Sequence, residues 1–117
     1  MPQFMLILHD DPSEYRDLSP EAMQQIVERY SAWARDLAAK GTLAGSNKLR
    51  DEGGRIVRSQ GGRVVVNDGP YAEAKEIISG YFIVEAATYD DAVEIAKHCP
   101  HAESRGRIEV REIEPLE

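Results

Sequence analysis

Two stretches of the chain are apolar at nearly every position. Phe4-Met5-Leu6-Ile7-Leu8 runs into the polar pair His9-Asp10, and Tyr81-Phe82-Ile83-Val84 lies between Gly80 and Glu85. Continuous apolar runs of this length suit strands buried on both faces, in the middle of a sheet. Between them, Met23, Ile26, Val27, Tyr30, Trp33, Ala34 and Leu37 recur at three- and four-residue steps, which predicts an amphipathic helix. Its start is marked by Ser19 as N-cap, Pro20 at the first helical position and Glu21 in the first turn, and its stop by Gly41. A second helix is predicted after Thr88, where Asp91 three residues on resembles a capping box. It carries Ala92, Val93, Ile95 and Ala96 and ends at Pro100.

The remaining segments are weaker. "TLAGSNKLR", "GRIVRS" and "RVVVND", separated by "DEGG" and "QGG", predict short strands in a meander over residues 43–67. "YAEAKEIIS" is short and partly helical in pattern, and "RIEVREI" alternates as a final strand with Ile108 and Val110 on one face. The order predicts an α+β fold: one antiparallel sheet with both helices on one face. The central strands carry apolar side chains on the other face too, and no third helix remains to cover it. A homodimer packed sheet against sheet is therefore expected.

Composition narrows the classes of function. The 117 residues form a single expected domain, and 14 Lys+Arg against 21 Asp+Glu give a net charge of −7. That balance opposes binding to a phosphate backbone, so nucleic acid is not an expected partner. The one basic cluster, Arg50, Arg55, Arg58 and Arg63, is diluted by Asp51, Glu52 and glycines. A single cysteine, Cys99, rules out an intramolecular disulfide. With no leader-like or membrane-spanning run, a soluble cytoplasmic protein and no membrane association are expected.

Candidate chemistry gathers in five places. In "NDGPYAEAKE", Asp68-Gly69-Pro70 is turn chemistry, with Gly69 expected to accept a positive φ. Glu73, Lys75 and Glu76 then set two carboxylates and an ammonium near the end of the sheet. A carboxylate held by Lys75 can act as a general base or orient a polar ligand, or the group is only a solvated ion-pair cluster. Tyr30 lies in the apolar helix face, where its ring packs and its hydroxyl offers a hydrogen-bond donor to a pocket. His9 follows the first strand beside Asp10 and Asp11, as a general base or an exposed loop residue. "KHCPH" holds His98, Cys99 and His101, but adjacent residues diverge on a helix and Pro100 breaks it, so neither a metal nor any other cofactor is predicted. Cys99 lacks an evident orienting group for nucleophilic work. Gly45-Ser46 opens a strand where backbone can approach a ligand closely.

"DGPYAEAKE" followed by "GYFIVEA" resembles the DGPF-domain branch of the YCII-related proteins. Asp68, Gly69, Pro70, Glu73, Lys75, Glu76, Gly80 and Tyr81 stand in one register, with Tyr71 in place of the phenylalanine that names the motif. "FMLIL", "SPEAMQQIVERYSAWARDLAAKGTLAGSNKL" and "CP…RGRIEVREI" extend the similarity over nearly the whole chain. The resemblance implies a ferredoxin-like α+β domain assembling as a dimeric α/β barrel. Many such proteins carry a helix His and an Asp before a proline facing a pocket; here these positions hold Tyr30 and Cys99. One branch includes a dehydrochlorinase acting on a hydroxylated ring, and many DGPF relatives accompany alternative sigma factors.

The first expectation is thus a small-molecule-binding or regulatory domain, non-catalytic or weakly catalytic. Its pocket between the long helix and the sheet would be lined by Tyr30, Asp68, Glu73, Lys75 and His101. The second is an enzyme of elimination or isomerisation, with His9 or a Glu of "AEAKE" as base and Tyr30 or Lys75 as partner. The third is an interaction module serving a sigma-factor-type protein.

Overall fold

The computed structural model describes residues 1–69, 76–103 and 106–116. Six strands and two helices follow one another: β1 (Gln3–Asp10), α1 (Pro20–Ala39), β2 (Leu43–Lys48), β3 (Arg55–Gln60), β4 (Arg63–Asp68), β5 (Ile77–Glu85), α2 (Tyr89–Lys97) and β6 (Arg107–Glu112). Single 3-10 turns stand at Pro12–Tyr15 and Pro100–Glu103. The helix starts form as their residues require. Ser19 accepts from the Ala22 amide at 3.0 Å, and Thr88 accepts from the Asp91 amide at 3.1 Å. Each bond satisfies one of the amides that a helix start leaves unpaired.

Four strands make an open antiparallel sheet in the order β2-β5-β1-β6, with the two apolar runs at its centre. With β3 and β4 set aside, this β-α-β-β-α-β order is compatible with the ferredoxin-like arrangement expected from the sequence. No closed barrel forms among the described residues.

The expected meander over 43–67 does not form. β2 leaves it and pairs with β5, from Leu43 opposite Val84 to Lys48 opposite Gly80, while β3 and β4 make a two-stranded sheet of their own. The cause is what each strand has to bury. β2 brings Leu43 to the core, whereas Arg55, Arg58, Ser59, Arg63, Asn67 and Asp68 leave β3 and β4 only a short valine strip, which stays exposed. The helical pattern read over 71–79 is corrected where it can be seen: Ile77 and Ile78 are strand, opposite Asp10 and His9. Residues 71–75 lie outside the described residues.

The core forms on one face of the sheet. Phe4, Leu6 and Leu8 of β1 and Phe82 and Val84 of β5 pack with Leu37 of α1 and Ala92 and Ala96 of α2. Trp33 meets Phe82 edge-on at 4.9 Å between centroids, and Tyr89 meets Phe4 likewise at 4.9 Å. A fully buried side chain such as Phe4, 1% exposed, contributes about 1.5–3 kcal/mol. On the opposite face Met5, Ile7, Tyr81 and Ile83 remain half-buried, and no described helix lies over them.

Candidate ligand cavity

The apolar stripe of α1 is longer than the core beneath it. Trp33, Ala34 and Leu37 pack on the core, but Met23, Ile26 and Val27 reach past it and roof a cavity of about 500 Å³. The floor is the sheet, with Leu8 and Asp10 of β1, Ser79 to Phe82 of β5 and Ser46 to Lys48 of β2. Tyr30 and His101 close one end. A second concavity, about 590 Å³, runs along Lys48 to Glu52 alone. It is an open groove on one turn with no opposing wall, so the candidate site is the cavity under α1.

His101 organises the closed end. It is buried to 1% exposure, with Nε2 2.8 Å from the His9 carbonyl oxygen and Nδ1 2.7 Å from the Tyr30 hydroxyl. A carbonyl only accepts, so in the neutral imidazole Nε2 carries the proton and Nδ1 is the acceptor. The Tyr30 hydroxyl therefore donates to His101. This reverses the role expected of Tyr30: its proton is spent inside the protein, and its oxygen meets the cavity as an acceptor. Burial above all, then the neighbouring acidic groups of Tyr15, Cys99 and Asp10, raises the Tyr30 phenol above its ordinary range. It stays a phenol at physiological pH.

Two further groups complete the floor. Ser79 is buried and donates its hydroxyl to the Leu8 carbonyl at 3.4 Å. Asp10 carries a fully buried Oδ1 with no hydrogen-bond partner among the described residues. At the rim, the Lys48 ammonium bonds Asp51 at 2.8 Å and the Leu49 carbonyl. Cys99 lies beneath, its thiol pushed up to about 11 by burial, against a smaller lowering by a backbone hydrogen bond from His101. It is a protonated core residue, not a nucleophile.

The residues singled out from the sequence part company here. Tyr30 and His101 meet at the cavity, and Ser46 lines it while Gly45 does not. His9 gives the site only its carbonyl; its ring turns to Glu109 at 3.0 Å, across the strand from the cavity-lining Leu8 and Asp10. Asp68 is solvent-exposed at the end of the hairpin, 3.4 Å from Arg55, and lines no part of the cavity. Glu73 and Lys75 lie outside the described residues, and Glu76 pairs with Arg107 at 2.7 Å. The backbone at Gly69 has no positive φ. Glycine is needed there because a Cβ would stand 2.4 Å from the Gly53 carbonyl oxygen.

Asp10, Ser79 and Gly106 were not read from the sequence as site residues. A signal for Asp10 existed: Leu6, Leu8 and Asp10 share one strand face by the two-residue period. Gly106 matters through contact, since a Cβ there would fall 2.3 Å from His101 Nε2. Among the described residues no group of three His, Cys, Asp or Glu side chains converges as a metal site, and no helix is long and apolar enough to cross a membrane.

The fold and cavity define a small α+β domain with an open antiparallel sheet and a largely apolar chamber beneath its long helix. The YCII-related domain matches residues 2–117, and the chain belongs to that family. It is also similar to an uncharacterized protein of Rhizobium meliloti (strain 1021), 28% identical over 118 residues, covering 92% of this chain and 89% of the relative.

Proposed function

We propose that this chain is a small-molecule-binding domain of the YCII-related family whose ligand occupies the cavity under α1. One observation carries this: half of the apolar stripe of α1 faces a chamber of about 500 Å³ instead of the core. Apolar walls with a few convergent polar groups, at this volume, are the usual form of a ligand site. The test is thermal unfolding with increasing amounts of small aromatic probes such as indole and phenol. A ligand of the native state raises the melting temperature by mass action. The rise should shrink in Ala34→Phe, which fills the chamber. A melting temperature indifferent to every probe would overturn the proposal.

A second function, proton transfer in an elimination or isomerisation on a small hydroxylated ring, is favoured by the buried Tyr30–His101 pair beside Asp10. His101, not His9, would then serve as the base, with Tyr30 between it and the substrate. Loss of turnover in both His101→Gln and Tyr30→Phe, with binding retained, would distinguish catalysis from binding alone. Glu73 and Lys75 are kept as candidate pocket residues on the strength of the family motif, as is the DGPF assignment itself. Dimerisation into a barrel is supported by the uncovered apolar face of the sheet. A cytoplasmic setting and a regulatory link to sigma-factor systems rest on sequence and resemblance.

A further inference from the structure

We infer that the cavity selects small organic cations, protonated amines carrying a ring or short apolar body, over neutral and anionic molecules of the same shape. The inference rests on the reading of the cavity as a ligand site and concerns what that site prefers.

Its basis is an inventory of donors and acceptors. Tyr30 has spent its proton on His101 and so turns acceptor lone pairs to any ligand, while the Ser79 hydroxyl, 3.4 Å from the Leu8 carbonyl, keeps its acceptor lone pairs as well. Asp10 adds a carboxylate to the lining, with its Oδ1 buried and bonded to nothing described. Lys48, the cation at the rim, is held by Asp51 and by the Leu49 carbonyl. Hydroxyls of Ser31, Ser46 and Tyr81 also line the cavity and can donate or accept, so the charge of Asp10 is what sets the preference, and Lys48, the one ammonium among the described lining residues, is paired at the rim.

A ligand carboxylate would bring acceptors to acceptors and negative charge toward Asp10. A protonated amine brings up to three N–H donors on a compact charge, and can pair with the Asp10 carboxylate while donating to Tyr30. The chain's net charge of −7 draws cations to the mouth as well. Leu8, Met23, Ile26, Val27 and Phe82 supply the apolar surface for the body of the ligand.

Three molecules of one shape decide the matter: 2-phenylethylammonium, 2-phenylethanol and 3-phenylpropanoate, titrated at neutral pH and followed by the Met23 methyl resonance and by calorimetry. The expected result is that the amine binds at least about tenfold more tightly than the carboxylate. In Asp10→Asn the amine should lose that advantage while the alcohol binds as before; Asp10→Ala replaces it should the amide not fold. A carboxylate or alcohol that binds wild-type protein as well as the amine overturns the inference, as does an amine preference that survives both variants. If the alcohol moves the Met23 methyl and the amine does not, the cavity remains a ligand site and only the cation preference falls. If none of the three moves it, both fall.

Discussion

Gly106 shows how little separates a working arrangement from a broken one at the scale of a residue. The His101 ring occupies the space its side chain would need: a Cβ would lie 2.3 Å from Nε2 and 2.8 Å from the His9 carbonyl oxygen. In Gly106→Ala the imidazole or the start of β6 must give way, and the bond between Nε2 and His9 goes with it. Forced overpacking of this kind costs about 1–3 kcal/mol, and urea unfolding should show a loss of that size. An unchanged midpoint would mean that the ring is not held where the hydrogen bonds place it. Cys99 makes a second prediction. Burial raises its pKa from the ordinary 9.0 to about 11, so the unfolded chain releases this proton first as the pH climbs. The native state then holds more protons than the unfolded one, and stability falls with rising pH. The contribution is complete below pH 9 and lost by about pH 11, at most roughly 2–3 kcal/mol. Tyr30 is raised also and acts in the same direction at higher pH. Urea midpoints at pH 8.5 and 10.5 measure the slope, which Cys99→Ala should flatten in part.

Among the elements, the β3–β4 hairpin is the separable one. It is inserted between β2 and β5, which are already sheet neighbours: Lys48 faces Gly80, and the Leu49 amide donates to the Ser79 carbonyl at 2.9 Å. The chain can therefore pass from one to the other without it. Replacing residues 50–75 by a short Asn-Gly turn should leave cooperative unfolding and stability within about 1 kcal/mol, because loop closure depends only weakly on length. Loss of the cooperative transition in circular dichroism would show that the hairpin supports the sheet. The same elements show what was legible beforehand. Caps such as Ser19 and Thr88 act over three residues, and the unbroken runs of β1 and β5 announce central strands, so both helices and the two central strands were readable. Which strand pairs with β2 was not, because that choice compares burial across the whole chain. The cavity was hidden for a related reason. Met23, Ile26 and Val27 keep the same spacing as Trp33 and Leu37, and a helical period cannot tell a methyl facing a core from one facing a chamber. Asp10 was masked by its neighbour, since His9 drew the chemical reading and then turned to the other side.

The whole molecule is thin and spread out. Its extents are 48 × 45 × 18 Å, and its radius of gyration is 16.2 Å where about 13 Å suits a compact chain of this length. Two sets of apolar side chains share the consequence. Met5, Ile7 and Ile83 lie half-buried on the uncovered sheet face, and Val57, Val64 and Val66 of the hairpin are 64%, 77% and 60% exposed. Val57 and Val66 are paired across the hairpin, so that face presents a continuous strip. Surfaces of this kind mark association, and light scattering at micromolar concentration should report a dimer. Ile7→Asp should return it to a monomer with the fold intact. A wild-type monomer would overturn the homodimer.

Residue 9 belongs to both sides of the sheet at once. Its carbonyl holds the imidazole that holds Tyr30 at the cavity, while its ring bonds Glu109, which stands in register with Ile7 on the uncovered face. The proposed ligand and the proposed second copy would thus both bear on one residue. If ligand binding shifts His9 and so changes the affinity of two copies for one another, pairing must change the affinity for ligand by the same factor, because linkage runs both ways. Filling the cavity would then be readable as a change in assembly, and assembly as a change in occupancy.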